Sequence, residues 1–117
     1  MKVLIVDDNV EMRRLLRTMV ARLVEAVYEC EDGAEVVEAY AAQQLTADDW
    51  VLMDIEMPRV NGLEATRQLK SIWPDARVCI VTGDDRPQLR QAAQTAGACD
   101  FIAKENLYAV RRLLQSV

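Results

Sequence analysis

The sequence predicts an α/β fold: a doubly wound, five-stranded parallel sheet with five helices covering both of its faces. Three observations carry this. Short β-rich runs alternate with longer stretches of 3.6-residue period along the whole chain of 117 residues,. Three of the short runs are almost continuously apolar, as strands covered on both faces should be. The length also suits one domain with a core of its own, built without disulfides or a structural metal.

The elements follow in order. Lys2–Val6 is the first strand. Asn9 then N-caps a helix whose apolar face is Met12, Leu15, Leu16, Met19, Val20 and Leu23, with Arg13, Arg14, Arg17 and Arg22 largely outside it. Val27–Cys30 is the second strand, and Asp32-Gly33 leads into a helix marked by Val36, Val37 and Tyr40. Trp50–Met53 is the third strand. The helix after it carries Leu63, Ala65, Leu69 and Ile72 and closes before Pro74. Val78–Val81 is the fourth strand; its helix opens on Pro87 and stops at Gly97,. Phe101–Ala103 is the fifth, followed by a helix with Leu107, Val110, Leu113 and Leu114. Right-handed crossovers join such units. With no internal repeat, low-complexity segment or linker, residues 1–117 read as one domain.

Composition narrows the function. With 51% apolar and 28% charged residues, the chain is globular rather than disordered,. No apolar run approaches a membrane span, and no signal-peptide pattern opens the chain. A net charge of -5 argues against a direct grip on nucleic acid,. The charge is uneven: residues 1–85 hold 9 basic and 17 acidic side chains, residues 86–117 hold 5 and 2. Such polarity orients a partner or simply reflects a solvated face. Three cysteines without a CxxC pattern point to reduced thiols and a cytosolic setting,. Histidine is absent, which removes His-based acid–base chemistry and typical zinc sites,.

In doubly wound sheets, ligands bind beyond the carboxyl ends of the strands. There stand Asp7 and Asp8 after the first strand, Asp54 after the third, Thr82 with Gly83 after the fourth, and Lys104 after the fifth. Singly, most suit an ordinary role: a helix cap, a turn, a surface lysine. Together, at matching strand ends, they converge. Two carboxylates about 5 Å apart repel by roughly 3 kcal/mol at an effective dielectric near 20, so three need positive company. Lys104 is one partner and a divalent cation the natural second. All-oxygen ligands favour Mg²⁺, with Mn²⁺ or Ca²⁺ as the other candidates. A carboxylate nucleophile with a metal, a hydroxyl and an ammonium is a set of parts for phosphoryl transfer onto the carboxylate.

The segments "VLIVDDN", "VLMDIEMPRVNG", "CIVTG" and "GACDFIAKE", in this order, span the chain. On them the sequence resembles a response-regulator receiver domain of a two-component system, similar to the chemotaxis regulators. The resemblance implies a flavodoxin-like three-layer sandwich with strand order 2-1-3-4-5. It implies Asp54 as phosphoacceptor, Asp8 as direct Mg²⁺ ligand, Asp7 acting through a bound water, and the backbone carbonyl of Glu56 as a third protein ligand. Lys104 would pair with the phosphoryl group and Thr82 would hydrogen-bond it. Phe101 would be the aromatic that turns inward as Thr82 moves, altering the face of the fourth helix, fifth strand and fifth helix. Glu56 and Asp84 would tune the phosphoryl lifetime. Implied partners are a sensor histidine kinase or phosphotransfer protein, an output protein or domain on that face, and a phosphorylation-dependent second copy; nucleic acid and membrane are not expected contacts. The chain would act as a switch, catalysing only its own phosphorylation and dephosphorylation.

Two departures stand out. Many receivers follow the lysine with a cis proline, whereas Glu105 follows Lys104 here; a non-proline cis bond costs about 3 kcal/mol, which leaves cis or trans open. Phe101 also lacks the hydroxyl that tyrosine would bring. Three other readings fit less well. A pseudo-receiver, binding without phosphorylation, would have lost one of the acids, Thr82 or Lys104. A flavodoxin-like FMN binder needs a Ser/Thr/Gly-rich loop where Asp7-Asp8-Asn9 stands. A haloacid-dehalogenase-type phosphatase needs an early Asp-x-Asp loop and a larger scaffold. A stand-alone receiver and one cut from a longer regulator fit the sequence equally.

Overall fold

The computed structural model describes residues 1–115. Its strands are β1 (Lys2–Val6), β2 (Ala26–Cys30), β3 (Trp50–Met53), β4 (Arg77–Thr82) and β5 (Asp100–Ala103). Its helices are α1 (Val10–Val20), α2 (Val36–Ala42), α3 (Gly62–Ile72), α4 (Pro87–Ala96) and α5 (Tyr108–Gln115). Single 3-10 turns precede α2 and α5. The sheet is parallel throughout, in the order β2-β1-β3-β4-β5.

The alternation of side chains along a strand builds two cores. Val3 and Ile5 of β1, Trp50 and Leu52 of β3, and Cys79 and Val81 of β4 pack with Leu16 and Val20 of α1 and Val110 and Leu114 of α5. The intervening Leu4, Val6, Val51, Met53, Val78 and Ile80 pack with Val36 and Tyr40 of α2, Leu69 of α3 and Ala93 of α4. Both faces of β1, β3 and β4 are thus dry, which explains their unbroken apolar runs. The edge strands β2 and β5 are more exposed.

Asn9 caps α1 as the sequence suggests, accepting a hydrogen bond from the Met12 N–H at 3.0 Å. Asn61 caps α3 in the same way, without having been singled out from the sequence, by accepting the Glu64 N–H at 3.0 Å. Pro87 sits in the first turn of α4, and Gly97 ends it with φ 107°, where any side chain would be strained,. Three expectations shift. Helix α1 ends at Val20, so Leu23 lies in the turn beyond it, although it still packs on the core. Leu15 and Ile72 are exposed rather than on the buried face. Arg13, placed outside the apolar face by periodicity, is 8% exposed. Its charge is satisfied by groups distant in sequence, which a helical period does not register. The Lys104–Glu105 bond is trans, as is every other peptide bond among the described residues.

Candidate phosphoryl and metal site

The chain leaves β1 for β2 on one side and reaches β3 on the other, so a crevice opens where β1 and β3 end,. Register does the positioning. Val6 pairs with Met53, and the Asp54 N–H donates to the Val6 carbonyl at 2.9 Å, carrying the ladder one residue past β3. The Asp7 N–H does the same to Cys30 at 3.1 Å. Asp7 and Asp54 therefore leave adjacent strands at matched height. Thr82 is the last residue of β4 and pairs with Ala103, directly before Lys104.

Asp7, Asp54 and Thr82 are buried, at 2%, 7% and 2% exposure, while Asp8 reaches solvent. One carboxylate oxygen from each of Asp7, Asp8 and Asp54 lies within 4.8 Å of the others. Lys104 Nζ bridges two of them, at 2.9 Å from Asp7 Oδ2 and 3.4 Å from Asp54 Oδ2. One ammonium among three carboxylates leaves net negative charge. Burial, then repulsion from Asp7, pushes the Asp54 carboxyl up to about 6 against the pull of Lys104 and the Ile55 N–H,. Burial also opposes the charge on Lys104, but Asp7 and Asp54 outweigh it and hold the ammonium above its ordinary value. A compact set of hard oxygens without histidine or sulfur fits Mg²⁺,.

The wider cleft, about 770 Å³, is lined by these groups together with Glu56, Met57, Thr82 and Asp84. Thr82 Oγ1 accepts the Asp84 N–H at 3.3 Å, so the hydroxyl hydrogen is free to turn to another acceptor,. Glu56 is exposed on the rim. Asp84 is paired with Arg86, at 2.9 Å from Nε and 2.8 Å from Nη2, which holds its carboxyl below the ordinary range. Phe101 lies away from the cleft. It is half-buried, with the Arg90 guanidinium 4.6 Å from its ring centroid.

Two contributors escaped the sequence reading. Asp32, taken only as a helix lead-in, accepts hydrogen bonds from the N–H groups of Ala34, Arg59 and Val60, each at 2.9 Å. It pins the loop after Asp54 to the end of β2. Its signal was an acid at the same edge of the sheet, two residues past β2. Burial would raise the Asp32 carboxyl, but the three N–H groups outweigh that and lower it,. Its stabilisation is therefore present above the unfolded value near 4 and is lost as pH falls through the lower native one. Asp32→Ala should cost about 2 kcal/mol at pH 7, with the difference from wild type shrinking at pH 3. Denaturant midpoints at both pH values check this; an equal difference at both would contradict it. The other contributor is Arg13, whose guanidinium meets the Asp7 carbonyl.

With this geometry in view, similarity to known proteins is informative. The response regulator receiver domain model matches residues 3–117. The chain is 33% identical over 117 residues to the chemotaxis protein CheY of Bacillus subtilis, covering 99% of this chain and 93% of that one. It is 37% identical over 106 residues to the CAI-1 autoinducer sensor kinase/phosphatase CqsS of Vibrio cholerae, and 33% identical over 114 residues to response regulator MprA of Mycobacterium avium. It spans only 15% and 48% of the lengths of those two. Among solved structures, the CheX–CheY–BeF₃–Mg²⁺ complex of Borrelia burgdorferi superposes with a TM-score of 0.86 at 26% identity, over 98% of this chain and 87% of that one. Binding Mg²⁺ and accepting phosphate at an acidic pocket are typical of such domains. The chain belongs to the response regulator receiver domains of two-component systems.

Proposed function

We propose that residues 1–117 act as one receiver domain whose Asp54 accepts a phosphoryl group from the phosphohistidine of a sensor kinase or phosphotransfer protein. The supporting observation is the matched exit of Asp7 and Asp54 from β1 and β3 with Lys104 Nζ between them. A carboxylate oxygen of Asp54 forms the new bond to phosphorus while the bond to the donor's leaving atom breaks. Its attachment to a buried strand fixes the nucleophile and limits the entropy lost on reaction. Asp7, Asp8, Asp54 and the Glu56 carbonyl would hold Mg²⁺ (Mn²⁺ is the second candidate), which when bound neutralises charge on the phosphoryl oxygens. Lys104 supplies a second positive charge at the same oxygens. Thr82 turns its hydroxyl toward the product. Phe101 then gives up its contact with Arg90 and swings inward, changing the α4–β5–α5 face offered to an output partner or to a second copy. Glu56 and the Arg86-paired Asp84 set how readily water reaches the acyl phosphate. The cytosol is the proposed setting, since three unbridged cysteines suit a reducing compartment,.

Incubation with acetyl phosphate and Mg²⁺ should add the mass of one phosphoryl group, and EDTA should prevent it; a chain that stays unmodified with Mg²⁺ would sink the reading. Metal binding has its own check. At ten times its Kd, Mg²⁺ should stabilise the chain by about 1.4 kcal/mol, or about 5 °C in Tm. Asp8→Ala should lose most of that rise. A wild-type Tm indifferent to Mg²⁺ would count against the site.

A further inference from the structure

Arg13 is a long cation with almost no access to water, in a helix whose other arginines are exposed. Its guanidinium is shared out. Nη1 donates to the backbone carbonyl of Asp7 at 2.7 Å, Nε donates to Glu29 Oε1 at 2.9 Å, and Nη2 lies 3.7 Å from Glu31 Oε1. Glu29, on β2, is held from the other side by Arg17, 2.6 Å from Oε2. The pull of Arg17, then of Arg13, overcomes partial burial and keeps the Glu29 carboxyl below its ordinary range.

The consequence falls on the turn between β1 and α1. That turn is short, and two of its bonds involve Asp7 directly. The Asp7 N–H donates to Cys30, Asp7 Oδ1 accepts the Asn9 N–H at 2.9 Å, and the Arg13 N–H donates to the Asn9 carbonyl at 3.1 Å. The Asp7 carbonyl belongs to the planar peptide group that joins Asp7 to Asp8. Fixing it sets the peptide plane between the two acids, and with it the direction in which Asp8 leaves the turn.

We propose that Arg13 is a positioning residue of the acidic pocket: anchored by Glu29, it clamps the Asp7 carbonyl and presets the carboxylates of Asp7 and Asp8 for a divalent cation. This deepens the reading of the site as a Mg²⁺-dependent phosphoacceptor and rests on it. Groups that orient metal ligands from behind are worth about 10–100-fold in metal affinity or activity. A planar fork makes two fixed bonds at once, which an ammonium cannot copy.

The test compares Arg13→Met and Arg13→Lys with Arg17→Met in the full chain. Arg17→Met removes a cation from the same Glu29 without touching Asp7, so it controls for loss of the ion pair. Mg²⁺ affinity is read from the rise in Tm with Mg²⁺ concentration, and amide exchange at Asn9 is read in the metal-free protein. Arg13→Met should weaken Mg²⁺ binding about tenfold and speed exchange at Asn9. Arg13→Lys should fall between it and wild type, and Arg17→Met should match wild type in both. Phosphorylation by acetyl phosphate at saturating Mg²⁺ should match wild type in Arg17→Met. Should Arg13→Met fail to fold, Arg13→Lys carries the comparison. Unchanged Mg²⁺ affinity in the folded Arg13 variants, or an equal loss in Arg17→Met, overturns the proposal. Failure of wild type itself to bind Mg²⁺ would instead overturn the reading beneath it.

Discussion

Asp54→Asn is expected to abolish phosphate incorporation and at the same time to raise the Tm of the metal-free protein at pH 7.5. Loss of function follows because the amide is not a nucleophile toward phosphorus. The gain in stability follows from the crowding of charge. The native Asp54 carboxyl titrates at about 6, against 3.8 ordinarily, so between those values the folded chain binds more protons than the unfolded one. Stability therefore falls as pH rises through that window and stays lower above it. A shift of this size corresponds to at most about 3 kcal/mol. The mouth of the cleft is open to water, so about 1–2 kcal/mol is the expected gain on removing the charge. Lys104 keeps its 2.9 Å contact with Asp7 in the variant, so no new unpaired ammonium offsets the gain. At pH 4 the advantage should shrink to near zero. Thermal melts of both proteins without metal, at pH 4 and 7.5, measure it; a less stable variant at pH 7.5 would contradict the electrostatic account.

The second large effect is steric. A Cβ on Gly62 would overlap the Asp54 carbonyl oxygen and stand 2.9 Å from Met53 Cγ. Neither neighbour has room to yield: Met53 is wholly buried, and the Gly62 N–H is committed to the Ile55 carbonyl at 2.8 Å. Gly62→Ala should cost about 3 kcal/mol, the upper part of the range for overpacking. That is a large share of the roughly 5–15 kcal/mol typical of a domain. Gly83→Ala is the matched control, since nothing lies within 4 Å of its added carbon. Urea midpoints should separate the two; equal midpoints would show that the β3–α3 turn relaxes at little cost. The glycine is thus required by the backbone of Asp54 itself.

The sheet was legible because its strands lie between two dry cores. Runs as short and as apolar as Val3–Val6 and Val78–Val81 need cover on both faces, and a central parallel strand has it. The converging acids were legible for a related reason: once the strands are known, so are their carboxyl ends. Strand order came from family resemblance, because periodicity does not say which strands are neighbours. Arg13 and Asp32 stayed hidden for a physical reason. Both act through partners far along the chain, Arg13 on Glu29 of β2 and Asp32 on the Arg59 and Val60 amides. A local pattern sees a charged residue on a helix or before a turn and assigns it to solvent. Only the fold shows that each cancels its charge against a distant group and, in doing so, holds a loop of the acidic pocket.

The most direct measurement locates the phosphoryl group itself. Borohydride reduces an acyl phosphate to an alcohol, so a phosphorylated aspartate becomes homoserine. After treatment with acetyl phosphate and Mg²⁺, borohydride reduction and peptide sequencing by mass spectrometry should find homoserine at position 54. Homoserine at Asp7 or Asp8, or no conversion in a chain that binds Mg²⁺, would contradict Asp54 as the phosphoacceptor.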